Sequence, residues 1–187
     1  MESGSKPPQP FQNKQGDATC DHMLRTTRML HQQQGAMADS KASIMITVTS
    51  ITLTVLISQL DKPEIRLIVL TAGSFAIGSL LLAVLAVLPR FSYPKKPDGS
   101  ADADSPFFNL LFFGHMAQLD LATYEERVET MMANHGLIYS TIVRDIHVGS
   151  IVLTRKFKRL RWSYICFMFG VVTTAIETII LTALDLL

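Results

Sequence analysis

The sequence is poor in cysteine and glycine, and it lacks the short motifs that mark most enzymes. Its two cysteines, Cys20 and Cys166, lie far apart, and Cys166 falls within an apolar run. Neither a disulfide scaffold nor a cysteine-based metal site is therefore indicated. The glycines form no phosphate-cradling loop and no nucleophile elbow. We expect a protein that is not an enzyme and that uses no cofactor.

The scattered titratable side chains show no catalytic or metal-binding pattern either. The histidines have no metal-ligand spacing, and they are His22, His31, His115, His135 and His147. The acidic residues between the second and third apolar runs have the spacing of a solvated helix face, and they are Asp120, Glu125, Glu126 and Glu129. We therefore expect ordinary histidines, solvated carboxylates and no metal.

Charge is missing from three long stretches, and this absence is the strongest signal in the sequence. Residues 42–60 and 67–88 contain no charged side chain, and residues 162–184 contain one, Glu177. About 20 apolar residues in a helix cross the ~30 Å hydrocarbon core of a bilayer. The alternative is a soluble helical core, but three such helices in 187 residues leave too little polar surface to cover them. We predict an all-α membrane protein with three transmembrane helices at these positions.

A few polar or small residues inside the spans invite a functional interpretation. The first span carries six hydroxyl side chains from Thr47 to Ser58. A helix tolerates them in lipid by bonding them to its preceding turn, and they also suit packing against another helix. Ser74 and Gly78 have the spacing that permits close helix approach. Glu177 lies about 22 Å along its helix from the start of the third span, so it is either a functional acid or one that snorkels to the far interface.

The N-terminal part of the chain contains no apolar core that would make a signal peptide. Residues 1–18 are polar and rich in Pro, Gln and Gly, which predicts a disordered tail. Residues 19–41 are predicted to form a cytoplasmic helix that continues unbroken into the first span. Its sparse apolar stripe recurs every seven residues, and we expect it to pack on a neighbouring helix. The stripe consists of Met23, Leu30 and Met37.

The segment after the second span is predicted to contain a linker and then a helical module. Pro89 ends the second span, and residues 89–104 read as a linker because they are rich in Pro, Gly and Asp. Residues 105–161 are predicted to form a helical cytoplasmic module. A first, very apolar helix is expected to begin at Ser105–Pro106, since proline is favoured in a first turn.

Two further helices are predicted within this module. Thr123 and Glu126 have capping-box spacing and are expected to start one of them. Gly136 is expected to end it in a left-handed conformation. From Leu137 the apolar periodicity is again helical, and no breaker separates it from the third span. The first and third spans should therefore both continue as long helices into the cytoplasm.

Lysine and arginine are concentrated on one side of the predicted membrane. They precede the first span, follow the second and precede the third; the residues are Arg25, Arg28, Lys41, Arg90, Lys95, Lys96, Arg155, Lys156, Lys158, Arg159 and Arg161. The opposite side receives only the "DKPEI" turn with Arg66 and the C-terminal "DLL". By the positive-inside rule, the N-terminus and the 89–161 segment are cytoplasmic, and the C-terminus is periplasmic in a Gram-negative cell.

The segment "RKFKRLR" sets five cationic side chains within seven residues against the third span. Two interpretations stay open. In the first, Arg155, Lys158 and Arg159 form a lipid collar, each residue contributing ~1 kcal/mol at anionic headgroups. In the second, the cluster binds a phosphate-bearing ligand. Just upstream, Arg144 and Asp145 interrupt an apolar helical pattern and are expected to form a partly buried ion pair.

Several stretches resemble a known family of small bacterial membrane proteins. They are "ADSKAS" before the first span, "LLFFGHMAQLDLATYEE", and "LIYSTIVRDIHVGSIVLTRKFKRLRWSYICFMFG" running into the third. These stretches are similar to the transmembrane effectors of the Pycsar antiphage system, from about residue 20 to residue 170. The "FFG" turn and the segment from Asp145 to Arg161 carry most of the resemblance.

The resemblance implies a function that composition does not show. In that family a partner pyrimidine cyclase makes cyclic CMP or cyclic UMP during infection, and the effector impairs the bacterial inner membrane, causing abortive infection. By the resemblance, candidate nucleotide contacts are Arg144, Lys156 and Arg161. The chain contains no recognisable cyclic-nucleotide-binding β-roll, so a nucleotide would bind the helical module, across subunits of a homo-oligomer.

Two further expectations complete the sequence-based picture. Asp39 and Lys41 are expected to pair with the helical module at the membrane surface, as structural ion pairs alongside that of Asp145. No nucleic-acid partner is indicated. The alternative function is a constitutive membrane scaffold or small channel that needs no nucleotide and uses its basic residues only for lipid.

Overall fold

The computed structural model describes residues 18–88, 105 and 108–185. These residues are helical almost throughout, and no strand occurs among them. Three helices have the length and composition to span a membrane, so the predicted all-α class with three candidate spans is confirmed. Of the tail predicted at residues 1–18, Ala18 is described, as the first residue of the first long helix. Residues 1–17, the linker predicted at 89–104 and the helix start predicted at Pro106 lie outside the described residues.

Three long helices make up most of the chain. Helix α1 runs over Ala18–Ile57, α2 over Arg66–Val87 and α5 over His135–Asp185. Their lengths are about 60, 33 and 76 Å at 1.5 Å per residue. The continuity of α1 and α5 into the first and third apolar runs is as predicted, because no proline interrupts either helix.

The boundaries of α2 follow from the prolines on either side of it. A 3-10 turn at Pro63–Ile65 leads into α2, with the proline at the first position, where its missing N–H is not needed. Leu88 is extended, with φ −55° and ψ 119°, which is the conformation favoured before a proline. The helix therefore ends at the boundary that the sequence indicates.

Two short helices lie between α2 and α5, and the first corrects a prediction. Helix α3 covers only Phe113–Met116, whereas an apolar helix was expected from Ser105 onward. Residues 108–112 form turns instead. The reason is Asn109, whose side-chain oxygen accepts a hydrogen bond from Leu111 N at 2.9 Å. Such a local side-chain bond competes with helical backbone pairing.

Helix α4, at Leu121–Met132, corrects two predicted caps. Its N-cap is Asp120, whose carboxylate accepts hydrogen bonds from the Thr123 backbone N–H at 3.0 Å and the Thr123 hydroxyl at 2.7 Å. Thr123 is thus inside the helix and not at its start. Gly136 is not a left-handed cap, because it lies in the first turn of α5. Ala133 ends α4 in a right-handed conformation, so the connection to α5 needs no glycine.

The described residues divide into two compact units. The polar unit contains residues up to 32 and residues 105–151, and the membrane unit contains residues 33–88 and 152–185. In the membrane unit, one apolar cluster joins all three long helices, and its members are Ala42, Met45, Ala83, Ala86 and Leu160. Most of these side chains are small, which lets helix backbones approach closely in lipid.

The buried residues of the membrane unit follow a heptad-like spacing on each helix. Steps of three, four or seven separate them, as in helices that pack along a seam. On α1 they are Ala38, Ala42, Met45 and Thr49; on α2 they are Val69, Ala76, Ser79, Ala83 and Ala86; on α5 they are Leu160, Ser163 and Gly170. Of the predicted Ser74–Gly78 pair, Ser74 is exposed, whereas Gly78 lies against α5, where an added Cβ atom would be 3.2 Å from Cys166 Sγ.

Polar contacts between α2 and α5 fix the relative direction of these helices. Ser79 and Ser163 are both buried, and each hydroxyl donates to the other residue's carbonyl, at 2.9 and 2.8 Å. Further along α5, the Cys166 thiol approaches the Phe75 carbonyl oxygen at 3.4 Å. A later residue of α5 thus contacts an earlier residue of α2, so the two helices are antiparallel. Alternation of direction is what successive membrane crossings require.

Candidate functional site

The polar unit contains a hydrogen-bonded cluster centred on Asp145. One carboxylate oxygen pairs with the Arg28 guanidinium of α1 at 3.3 Å, and the other accepts from the Asn109 side-chain amide at 2.6 Å. The predicted charged site at Asp145 thus has two partners that sequence reasoning did not name. A partly buried carboxylate held by a cation and an amide is well compensated for its loss of hydration.

Asn109 links this carboxylate to the phenylalanine-rich segment. Its backbone N–H donates to His115 Nδ1 at 2.7 Å. The His115 side chain is buried, and its ring lies 4.9 Å from the Phe108 ring and 5.1 Å from the Phe112 ring, centroid to centroid. Residues 108–115 therefore form a compact segment closed by an amide and an imidazole. Its polar groups are satisfied within the polar unit.

Helices α1 and α5 make two more polar contacts in the polar unit. The Tyr139 hydroxyl donates to Asp21 at 2.7 Å, and Ser150 Oγ lies 3.5 Å from His31 Nε2. Both helices advance in the same direction through these contacts, so they are parallel here. His31, which was predicted to be an ordinary histidine, thus contacts a hydroxyl of α5.

The basic segment at the start of the third apolar run is partly occupied by contacts within the protein. Lys156 forms an ion pair with Asp39 of α1. Arg159 donates to the Leu85 carbonyl oxygen at 3.0 Å, near the C-terminal end of α2. A cation at a helix C-terminus satisfies carbonyls that lack a helical partner and interacts favourably with the helix dipole. Lys156 therefore links α5 to α1, and Arg159 links α5 to α2, within the membrane unit.

Lys41 differs from Asp39, although both were predicted to pair with the helical module. Among the described residues, the Lys41 side chain contacts no carboxylate. Its backbone carbonyl oxygen lies 3.4 Å from the Tyr164 hydroxyl of α5. Because Asp39 meets Lys156 and Lys41 meets Tyr164, α1 and α5 also run parallel within the membrane unit.

The three predicted nucleotide contacts are not brought together on one face of α5. Arg144 and Arg161 are exposed, whereas Lys156 is half-buried. Lys156 and Arg161 are five residues apart, which is about 140° around a helix. They therefore point to different sides of α5. The remaining collar residues, Arg155 and Lys158, are exposed.

Glu177, the one charge within the third apolar run, has a partner on α2. Its carboxylate accepts a hydrogen bond from the Thr71 hydroxyl at 2.7 Å. The Thr71 oxygen also lies 3.0 Å from the Ile68 carbonyl. This contact ties α5 to the first turns of α2. The carboxylate is thus oriented by a neighbouring helix, which sequence reasoning had not anticipated.

Comparison with known proteins identifies the family of the chain. The model of the Pycsar effector protein domain, PycTM, matches residues 22–183. The chain belongs to the Pycsar effector family. No curated protein and no solved structure matches it. The resemblance noted in the sequence is thereby confirmed, and it covers both structural units.

Membership in the Pycsar effector family gives the chain a role in antiphage defence. Its three apolar helices make it a membrane protein. The family also links it to a cyclic nucleotide and a cyclase. The geometry adds that the cationic residues of the basic segment, residues 155–161, divide into two groups. Lys156 and Arg159 hold the membrane unit together, whereas exposed cations remain at Arg155, Lys158 and Arg161.

Sequence reasoning missed several residues that shape this effector. Arg28 was named only among the cationic residues that set the orientation, and Asn109 was not singled out, although an amide inside an apolar run is a signal for a buried hydrogen bond. Ser163 and Gly170 were also missed. They share a heptad-like spacing with Leu160, so the signal was the recurrence of small residues along one stripe of α5.

Proposed function

We propose that this chain is an inner-membrane effector that responds to cyclic CMP or cyclic UMP and then impairs membrane integrity. It acts without catalysis, as a homo-oligomer, and binds neither a cofactor nor nucleic acid. The observation that carries the proposal is the family match over residues 22–183. Three apolar helices joined to a polar unit are the parts that such a membrane effector needs.

The orientation that we propose places the N-terminus in the cytoplasm and the C-terminus in the periplasm. The exposed cations Arg155, Lys158 and Arg161 support it, since positively charged residues flank spans on the cytoplasmic side. The activating nucleotide is made in the cytoplasm, so the polar unit belongs on that side. Arg144 and Arg161 stay candidate phosphate contacts, because a guanidinium binds a phosphodiester with two parallel hydrogen bonds.

A conformational response requires that the nucleotide bind the active form more tightly than the resting form. The Lys156–Asp39 pair and the Arg159–Leu85 contact stabilise the resting membrane unit. A nucleotide phosphate that binds an exposed arginine in an active assembly shifts the population toward that assembly. This mechanism is independent of any covalent chemistry.

The test is leakage from proteoliposomes that contain the purified full chain and an entrapped fluorophore. We expect release with cyclic CMP or cyclic UMP and none with cyclic AMP. Arg161→Ala should weaken the response by an order of magnitude or more if Arg161 contacts the phosphate, whereas Lys158→Ala, a neighbouring exposed cation, is the matched control. Equal leakage with and without nucleotide would favour a constitutive channel. Intact liposomes under every condition would refute a membrane-impairing effector.

A further inference from the structure

The outward face of α1 in the membrane unit is lined with hydroxyl groups. These residues recur at steps of three and four along one side of the helix, and all are exposed. They are Ser40, Ser43, Thr47, Ser50, Thr54 and Ser58. We call them the hydroxyl face. The face extends over about 27 Å, which is most of the thickness of a hydrocarbon core.

The hydroxyl face lies on the side of α1 opposite the bundle core. Ser40 precedes buried Ala42 by two residues, and Ser43 precedes buried Met45 by two. Two residues correspond to about 200° around a helix, so each pair points to opposite sides. The hydroxyl face of α1 therefore points outward, and the side that carries Ala42 and Met45 faces inward. Contact with lipid does not favour that arrangement, because lipid chains offer a hydroxyl no hydrogen-bond partner.

The hydroxyl face carries both donors and acceptors. The Thr47 and Thr54 hydroxyls donate to the Ser43 and Ser50 carbonyls at 3.0 Å each, which leaves their oxygens as acceptors. The side chains of Ser43 and Ser50 make no hydrogen bond within the described residues, so their donors remain available. A stripe that alternates donors and acceptors is complementary to a copy of itself. A charged stripe would repel its own copy.

We propose that copies of this chain associate through the hydroxyl face of α1. All members of the face except Ser40 lie within the first apolar run, so the partner is another membrane helix, and a second copy carries the matching stripe. Small residues four apart, as in Ser43–Thr47 and Ser50–Thr54, allow the close approach that such helix pairs use. This inference deepens the homo-oligomer of the proposed function by naming its contact surface.

The size of the face sets the strength of the association. A stripe 27 Å long on a helix about 10 Å wide gives roughly 270 Å² per copy, or about 540 Å² for the pair. Stable protein dimers usually bury about 1,200–2,000 Å² in total. One α1–α1 contact is therefore a weak, reversible interface. That weakness suits an assembly whose population a stimulus can change.

The test is disulfide cross-linking of the full chain in native membranes. The background replaces both cysteines, as Cys20→Ser and Cys166→Ser, and single cysteines are introduced as Thr47→Cys or Thr54→Cys. The matched control is Leu81→Cys on α2, which is 58% exposed and lies two residues from Ala83, a member of the cluster that also contains Met45. After mild oxidation we expect covalent dimer from Thr47→Cys and Thr54→Cys, at least five-fold above Leu81→Cys, with or without cyclic nucleotide.

A second variant tests whether the hydroxyl face itself makes the contact. Ser50→Leu, added to Thr47→Cys, should reduce the dimer several-fold because its side chain keeps the helices apart. Val55→Leu, which enlarges a side chain on a neighbouring exposed face, should not reduce it. Cross-linking no higher than that of Leu81→Cys in every condition, or equal yields with Ser50→Leu and Val55→Leu, would overturn the proposal. Cross-linking measures the covalent dimer and not the release of a fluorophore. Its result is therefore independent of whether the protein impairs the membrane.

Discussion

Close helix approach in the membrane unit depends on a single glycine on α5. A Cβ atom at Gly170 would lie 2.6 Å from the Phe75 Cβ, a separation that neither backbone can accommodate without moving. One helical turn earlier, Cys166 approaches the Phe75 carbonyl. Gly170 is thus required by contact with α2 and not by an unusual backbone conformation.

Substitution of Gly170 should therefore destabilise the membrane unit. We expect Gly170→Ala to lower the free energy of unfolding by about 1–3 kcal/mol, as overpacking does in other cores. Gly73→Ala is the control, because a Cβ atom at Gly73 meets nothing within 4 Å. Unfolding in detergent micelles, followed by helical circular dichroism, measures both. An unchanged midpoint for Gly170→Ala would show that α2 and α5 are not in contact there.

At the scale of the element, α4 shows how one side chain can define a helix start. The Thr123 hydroxyl and the Thr123 backbone N–H both donate to Asp120, and together they hold the pKa of that carboxyl below its usual value. The charged form is favoured because it accepts both hydrogen bonds and lies near the positive end of the helix dipole.

The lowered pKa of Asp120 predicts the pH dependence of α4. The charged carboxylate stabilises the helix at pH values above about 4, the unfolded pKa, and this contribution is lost as the pH falls through the lower folded value. Amide hydrogen exchange in α4 should therefore accelerate in acid, after correction for intrinsic rates. Asp120→Asn, which keeps a capping oxygen but cannot ionise, should remove this dependence. A pH response that survives in Asp120→Asn would assign it to another group.

The two faces of helix α1 differ in their side chains. Within the membrane unit its seam of Ala42, Met45 and Thr49 packs inward, and the hydroxyl face points outward. Met23, Leu30 and Met37 are all exposed, although they were expected to pack on a neighbouring helix. Their side chains were placed correctly in one stripe by periodicity. Periodicity alone did not show which side of the helix the core occupies.

At the scale of the whole molecule, the contacts define the order of membrane crossings. Within the membrane unit, α1 and α5 run parallel and α2 runs antiparallel to α5. Three helices in this arrangement place the turn between α1 and α2 on the side opposite the start of the third apolar run. The proposed orientation then follows from the exposed cations near that start.

Accessibility labelling checks this arrangement. In the same cysteine-replaced background, we expect Asp61→Cys to react with a membrane-impermeant maleimide on intact spheroplasts. Lys158→Cys should react only after the membrane is permeabilised. Both positions are exposed in the fold, so a difference reports the bilayer and not burial. Labelling of Lys158→Cys on intact spheroplasts would contradict the cytoplasmic assignment of the basic segment.

Much of the architecture was predictable because the hydrophobic effect acts on whole segments. Uncharged runs of about 20 residues predict the candidate spans, and proline predicts the end of α2. The short elements between α2 and α5 were harder to predict. Asn109 and Asp120 determine where these short elements begin, because their side chains accept hydrogen bonds from individual backbone N–H groups. Such bonds depend on the local backbone geometry.

The amino-acid sequence by itself determined the class of this protein, its three apolar helices and its family, because these depend on composition, length and motif. Only the tertiary structure decided the partners of its charges. Asp145 meets Arg28, Lys156 meets Asp39 and Glu177 meets Thr71. Each pair joins residues that are distant in sequence, and helical periodicity fixes only the direction of a side chain, not which helix lies beyond it.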